Sequence, residues 1–349
     1  MSTRRRGKLK VLALMEKVLV PPDDPGEVDP ETAEWRTEYH VVQALRALGH
    51  EVRCLGVGTD LGVIRAGIEE FRPDIVFNLL EDFKDVPIYD QNVVAYLELL
   101  DVPYTGCNSR GLMLARDKAI TKKILSFHRI PVPAFHVFRM GRAVVRPKWL
   151  TFPLIVKSLT KEGSAGISKL SIVDSDQKLK ERVALVHKRQ HTDAIVERYI
   201  DGRELYVGVI GTRRLQVLPV WEMVFEKPDA PRIATERVKW DPVYQKKHGI
   251  DTADAKGLPD ATVSQIQNLC RRVYRTLELS GYARIDLRLD AEGKLYVLEA
   301  NPNPQLAYGE DFAESAERAG VSYDGLLQRI VNLALQRMPN GRPGPNAGG

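Results

Sequence analysis

Three oxygen-bearing side chains lie close together in the segment ARIDLRLDAEGKLYVLEAN: Asp286, Glu299 and Asn301. Asp, Glu and Asn supply hard oxygen ligands of the kind magnesium takes alongside water and phosphate. The pair Glu292-Gly293 reads as a two-residue hairpin turn, since glycine accepts the positive φ such turns require. That turn sets Asp286 directly opposite Glu299 and Arg284 opposite Asn301, and strand alternation puts all four on one face. Ile285, Leu287, Leu289, Tyr296, Leu298 and Ala300 then form a core-facing set whose burial fixes the register. Two facing carboxylates repel by some tenths to about one kcal/mol, a cost that a cation between them would reverse. A solvated charged face with Arg284 and Arg288 as ion-pair partners accounts for the same residues. The hairpin alone does not choose between the two.

Phosphate chemistry has separate candidates. Lys157 ends the run PLIVK, and the loop SLTKEGSAGISK follows it. Gly163, Ser164, Ala165 and Gly166 are small enough for backbone N–H groups to wrap a phosphate chain. Lys157 would add a compact positive charge, and Lys118, in ARDK at a helix start, a second. A surface hairpin and a solvated lysine are the plain alternatives. Glu197 closes AIVE ahead of Arg198-Tyr199-Ile200, where an acid beside exposed backbone can read an adenine edge. Glu204, seven residues on, could take ribose hydroxyls. Two surface glutamates flanking a turn at Asp201-Gly202 would look the same.

The elements that must position these residues follow from hydrophobic periodicity. A first strand over 9–14, a helix over 34–48, a strand over 51–57, a helix over 63–71, a strand over 74–79 and a helix over 92–100 alternate. That alternation implies a parallel sheet covered on both faces. The acidic, proline-rich stretch 21–30 is a loop after the first strand, where open α/β sheets bind ligands. GVGTDLG at 56–62 has the spacing GxGxxxG and follows the second strand, so it is not read as a dinucleotide loop. After Arg116 the texture changes. A helix over 117–128, strands over 152–157, 169–173 and 194–197, and a helix over 177–187 make a small α/β lobe. Strands over 204–210 and 215–221 form a hairpin around 211–214. A helix over 263–279, the strands 282–290 and 295–301, and a helix over 323–337 complete the chain.

Bulk properties narrow the function. The chain has 349 residues, 44% hydrophobic and 28% charged, as an ordinary globular protein of two or three domains does. No apolar run reaches the length of a membrane span. VLALM is too short for a signal peptide's apolar region and lacks a small-residue cleavage site, so it reads as a buried strand. Cys54, Cys107 and Cys270 lie far apart and make neither a disulfide framework nor a zinc pattern, which suits a reducing cytoplasm. Arg4, Arg5, Arg6, Lys8 and Lys10 account for the whole formal charge of +5. The body is therefore near neutral. A basic arm over 1–8 does not make a nucleic-acid footprint, which needs a basic face with interleaved aromatics. The proline- and glycine-rich tail 338–349 reads as disordered.

In order along the chain, VPYTGCNSRGLMLARDKAITKKIL, IPVPAF, PLIVKSLTKEGSAGISK, IVERYIDGRELYVGVIG, LPVWEM, GYARIDLRL and LEANPNP resemble the ATP-grasp superfamily, and most closely its D-alanine–D-alanine ligase branch. The resemblance covers about two thirds of the chain. It implies three α/β lobes, with an N-terminal domain over 9–115, a central lobe over 116–202 and a C-terminal lobe over 203–337. ATP would lie between the last two. By this resemblance Lys118 and Lys157 are phosphate ligands, and Gly163, Ser164 and Gly166 lie in the loop over the phosphates. Glu197 with the backbone of Tyr199 and Ile200 takes the adenine, and Glu204 the ribose. Asp286, Glu299 and Asn301 become ligands of Mg2+, for which Mn2+ can substitute. Arg284 becomes the stabiliser of an oxyanion, and Lys239 falls in a segment that closes over the γ-phosphate.

The implied activity is an ADP-forming ligase that joins a small-molecule carboxylate to an amine through an acyl phosphate. Membrane and nucleic-acid partners are not expected, and a homodimer is compatible because related ligases are often dimers. The resemblance fails at both ends. MEKVLVPPDDPGEVDPETAEWRTEYHV replaces the family's glycine-rich N-terminal loop, with Glu38 aligned to the glutamate that binds the first substrate's ammonium. PNPQLAYGEDF replaces the segment after the metal asparagine. Both losses fall at amino-acid sites, so D-alanyl-D-alanine is not the expected product. A phosphotransferase on the same fold, and a nucleotide-binding regulator without turnover, are the alternatives.

Overall fold

The computed structural model describes residues 7–161, 166–225, 233, 235, 238, 244, 245 and 248–337. Most of the basic arm over 1–8 and all of the tail over 338–349 lie outside them, as do Gly163, Ser164 and Lys239.

Strands β1 (Lys10–Glu16), β2 (Glu51–Val57) and β3 (Ile75–Asn78) form a parallel sheet in the order β2-β1-β3. Helices α1 (Arg36–Ala47), α2 (Gly62–Phe71) and α3 (Asp90–Leu99) connect and follow them. The central strand β1 is apolar on both faces, and Val11 to Met15 are fully buried, as a parallel sheet covered on both sides requires. In GVGTDLG, Asp60 accepts the Gly62 N–H at 2.8 Å at the start of α2.

Helices α4 (Ser109–Arg116) and α5 (Lys118–Phe127) lead into the second sheet. Asp117 caps α5 by accepting from the Ala119 and Ile120 N–H groups at 2.8 and 2.9 Å, which places Lys118 at the first helical position. Strands β4 (Phe135–Phe138), β5 (Leu154–Ser158), β6 (Ile172–Val173) and β7 (Ala194–Arg198) follow in the order β4-β7-β5-β6, all antiparallel. Helix α6 (Asp176–Gln190) lays Leu179, Val183 and Val186 on Val156 and Val196. The strand expected over 169–173 is only its last two residues, because Lys169–Ser171 winds into a 3-10 turn.

The third sheet has the order β10-β9-β8-β11-β12, from β8 (Arg203–Gly211), β9 (Leu215–Phe225), β10 (Ile250–Asp254), β11 (Tyr282–Leu289) and β12 (Leu295–Pro302). Helix α7 (Asp260–Thr276) covers one face, with Ile266, Leu269 and Val273 against Leu205, Val207, Ile285 and Leu287. Helices α8 (Asp311–Arg318) and α9 (Tyr323–Arg337) close the chain. The final helix returns to the first sheet: Leu326, Ile330 and Val331 share a core with Val11, Leu45, Ile75 and Phe77. The first and third sheets are therefore held together by buried apolar surface.

Candidate functional site

The β11–β12 hairpin pairs Asp286 with Glu299 and Arg284 with Asn301, as the sequence predicts, but through a different turn. The loop has three residues, 291–293, with Asp290 N–H bonded to the Lys294 carbonyl at 3.1 Å and Gly293 at φ +79°. This shifts the lower register by one residue, to Leu287 opposite Val297, and a bulge between Asp286 and Leu287 restores it. The consequence is a correction to the core face. Val297 joins Leu287, Leu289 and Ala300 in the core, while Tyr296 pairs with Arg288 and the bulged residue Leu298 leaves the core set.

The charged face is not a solvated surface. Asp286, Arg288 and Glu204 are only 2%, 3% and 7% exposed. Arg284 donates to both Asp286 oxygens at 2.8 and 3.0 Å, and its guanidinium stacks 4.8 Å from the Tyr206 ring centroid. Burial alone would lower the basicity of Arg284; Asp286 outweighs it and keeps the guanidinium charged. Arg288 pairs with Glu204 directly across β8 and β11, and Tyr206 donates to the same carboxylate at 2.9 Å. Asn301 donates to Glu299 at 3.5 Å. The ion pairs of the plain alternative are thus real, but Arg288–Glu204 is buried and Arg284–Asp286 partly so.

Facing Glu299 stand three lysines. Lys157, on β5, is a diagonal neighbour of Glu197 on β7 and pairs with it at 3.2 Å. Lys122, one helical turn after Lys118, pairs with the other Glu197 oxygen at 3.4 Å and donates to the Leu298 carbonyl at 2.6 Å. The bulge in β12 therefore presents a backbone acceptor to a buried lysine. Lys118 donates to the Lys161 carbonyl at 2.7 Å and so anchors one end of the glycine-serine loop. Arg182 holds the Gly166 carbonyl at the other end.

The electrostatics of this cluster are mutual. Burial would raise the Glu197 carboxyl, but Lys122 and Lys157 outweigh it and hold the group below its usual range. Burial pushes Lys118 down against the pull of Glu299, whereas Glu197 and Glu299 carry Lys157 above its ordinary value. The Glu197 carboxylate is thus turned to the lysines, so an adenine edge would meet the backbone after it. In that segment the Tyr199 N–H already donates to the Pro153 carbonyl at 2.9 Å, and the Ile200 carbonyl accepts from Arg288 at 3.4 Å.

Among the described residues no three His, Cys, Asp or Glu side chains gather as a metal-binding group. The oxygen set is two carboxylates and one amide. Such a set suits a hard cation that completes its shell with phosphate oxygens and water. Asp286 can keep Arg284 and still ligate, because a carboxylate has about four acceptor sites. The residues present fit Mg2+.

Glu38, on the first turn of α1, lies away from this cluster, at the carboxyl edge of the parallel sheet. It is 4% exposed and one of its oxygens has no hydrogen-bond partner. Burial, then the charges of Glu81 and Glu16, raise its carboxyl to about 7. Sequence reasoning missed Lys122, although its place four residues after Lys118 sets both on one helix face. It also missed the Glu204–Arg288 pairing, and Glu16 and Glu81 beside Glu38. Among the described residues no helix is long and apolar enough to cross a membrane, and all three cysteines are free.

Known proteins share this arrangement of sequence and fold. The family model described as D-ala D-ala ligase C-terminus matches residues 124–332. A D-alanine–D-alanine ligase of Desulforudis audaxviator is 32% identical, over 86% of this chain and 94% of the relative. An uncharacterized protein of Sinorhizobium fredii, y4sG, is also 32% identical, over 85% of this chain and 87% of its own length. The crystal structure of a D-alanine–D-alanine ligase from Bacillus anthracis complexed with ATP superposes with a TM-score of 0.73 at 21% identity, covering 94% of this chain and 98% of that one. The ATP-grasp fold is the same.

Proposed function

We propose, because this chain belongs to the D-alanine–D-alanine ligase family, that it activates a carboxylate as an acyl phosphate and joins it to an amine, releasing ADP and phosphate. The enzyme is an ATP-dependent ligase that forms a C–N bond. The observation that carries the reading is the buried face on which Asp286 meets Glu299 beside Arg284 and Asn301, opposite Lys118, Lys122 and Lys157.

A carboxylate is a poor acyl donor because its leaving group would be oxide. Attack of a carboxylate oxygen on the γ-phosphorus expels ADP and forms the acyl phosphate. Attack of the amine on the acyl carbon then expels phosphate, which carries that oxygen away, and the amine gives up a proton. Lys118 and Lys157 hold phosphate oxygens as point charges. Arg284, fixed by Asp286 and Tyr206, stabilises the tetrahedral oxyanion. Asp286, Glu299 and Asn301 would hold Mg2+, or Mn2+ in its place, which when bound neutralises phosphate charge. The adenine lies along the Tyr199–Ile200 backbone next to Glu197, and the ribose beside Glu204.

Gly163, Ser164 and Gly166 cover the phosphates and Lys239 approaches the γ-phosphate in this reading, on the strength of the family resemblance. The lobes divide at 9–115, 116–202 and 203–337. D-alanyl-D-alanine is not the expected product, because by the resemblance the segments at 15–41 and 302–312 depart from the family pattern at the amino-acid sites. The test is incubation with ATP, magnesium and pooled amino acids and dipeptides, with mass spectrometry of the products. A condensed product that Asp286→Ala and Glu299→Ala both abolish supports the reading; robust ADP release with D-alanine alone overturns the exclusion of D-alanyl-D-alanine as product.

A further inference from the structure

The carboxyl edge of the first sheet gathers acids that the proposed chemistry does not use. Glu16 ends β1 and Glu81 follows β3, the neighbouring strand, three residues past its end. Glu38 reaches the same place from the first turn of α1. Open α/β sheets bind their ligands at this edge. Beside burial, the leading charges acting on Glu16 and on Glu38 are negative: Asp82, Glu81 and Asp85 on the first, Glu81 and Glu16 on the second. Arg116, which also pairs with Asp90, is the leading charge acting on Glu81, and Lys161 acts on Asp82.

Folding does not bring like charges together without compensation, and a buried carboxylate oxygen without a partner costs about 1–3 kcal/mol. Glu38 presents such an oxygen from a side chain that is only 4% exposed. Glu81, by contrast, is exposed at the same edge, and the protein around it raises its carboxyl. The same edge lies near the strand that carries Arg284. Glu81 acts on the Tyr282 phenol, and Tyr282 precedes Arg284 by two residues on β11, hence on the same strand face. Helix α1 is also tied to the segment that follows the metal strand: Arg36 binds Glu310 at 2.7 Å and the Tyr308 carbonyl at 2.8 Å, and Gln305 donates to Thr37 at 3.0 Å.

One ammonium group calls for one carboxylate, and this edge has three. We infer that Glu16, Glu38 and Glu81 bind a substrate with two positive groups, so that the acid activated here is a basic amino acid rather than a neutral one. The inference names the substrate class of the proposed ligase and rests on that reading for its catalytic meaning. The second positive group lies between Glu16 and Glu81, leaving Glu38 to the α-ammonium.

The test is calorimetric binding without ATP, using both enantiomers of ornithine and of norvaline, which have side chains of similar length with and without the second ammonium. One ornithine enantiomer is expected to bind at least about tenfold more tightly than either norvaline, the ratio one charge-assisted hydrogen bond supplies. Glu16→Gln and Glu81→Gln should each erase that preference while leaving norvaline binding unchanged. Both side chains reach solvent, and thermal unfolding checks that the variants fold. Equal binding of ornithine and norvaline, including no binding of either, overturns the inference, as does a preference that survives both variants. ADP release measured on the same protein separates the two claims. Release with neutral amino acids alone sinks the basic-substrate inference and keeps the ligase. Selective ornithine binding without ADP release under any amine does the reverse.

Discussion

Replacing Lys122 by methionine removes one buried charge while keeping the apolar length of the side chain. Lys122 is 1% exposed and touches two acceptors: a Glu197 oxygen at 3.4 Å and the Leu298 carbonyl at 2.6 Å. Breaking a buried pair by deleting one partner costs about 3–5 kcal/mol, because the other charge stays buried. Here Lys157 remains 3.2 Å from the second Glu197 oxygen, so the stranded carboxylate keeps one counter-charge. The loss should therefore fall near the low end, about 3 kcal/mol, of which the orphaned Leu298 carbonyl supplies about 1–3. Urea denaturation at pH 7.5 reads it as a lower midpoint with an unchanged slope. Adding Glu197→Gln to Lys122→Met neutralises the stranded group and should recover about 1 kcal/mol, a coupling that a double-mutant cycle measures. A loss below about 1 kcal/mol, or no recovery in the double variant, would refute the assignment of Lys122 as the clamp between Glu197 and β12.

Further perturbations test other parts of the molecule. Arg284→Lys keeps the charge but loses the two-pronged grip on Asp286, and steady-state ADP release should fall about 10²–10³-fold in kcat with a smaller change in the KM for ATP. Gly202→Ala would set a Cβ 2.1 Å from the Leu289 carbonyl oxygen at φ +149°, and should lower stability by about 2 kcal/mol or more in the same urea assay. Chelation should abolish ADP release, and Mg2+ or Mn2+ should restore it to the native protein but restore Glu299→Gln only at metal concentrations about tenfold or more higher. Glu38 stands raised to about 7 in the fold against an ordinary value of 4.5. The folded state therefore takes up the proton more readily than the unfolded chain. Stability should fall as pH rises from about 4.5 through about 7, and Glu38→Gln should flatten that fall and gain about 1–3 kcal/mol at pH 8 in thermal or urea unfolding.

The residues themselves revealed much of this architecture, and the misses have physical causes. Alternation of apolar residues identified β11 and β12, and burial of Ile285, Leu287 and Ala300 fixed which face carries Asp286 and Glu299. The bulge before Leu287 was not legible, because a shift of one residue is decided by the three-residue turn and by Lys122 reaching the Leu298 carbonyl, a contact 176 residues apart in sequence. Short edge elements such as β4 and β10 lack a periodic signal of their own and form only against β7 and β9. Glu197 was legible as a candidate, but its place between two lysines depends on α5 docking beside β7, which no local pattern encodes. Glu16 and Glu81 could have been found. Each sits at or just beyond the carboxyl end of a strand in a parallel sheet, the position where such sheets bind ligands.

The central claim is that a carboxylate oxygen of the substrate attacks the γ-phosphorus before the amine arrives. Amino acids labelled with 18O in the carboxylate, neutral and basic ones in separate pools, are incubated with ATP, magnesium and an amine pool, and the inorganic phosphate is analysed by mass spectrometry. One 18O atom is expected in each phosphate released, in step with ADP and with a condensed product. Phosphate free of label, release of AMP, or a stable phosphorylated product in place of a new C–N bond would contradict it.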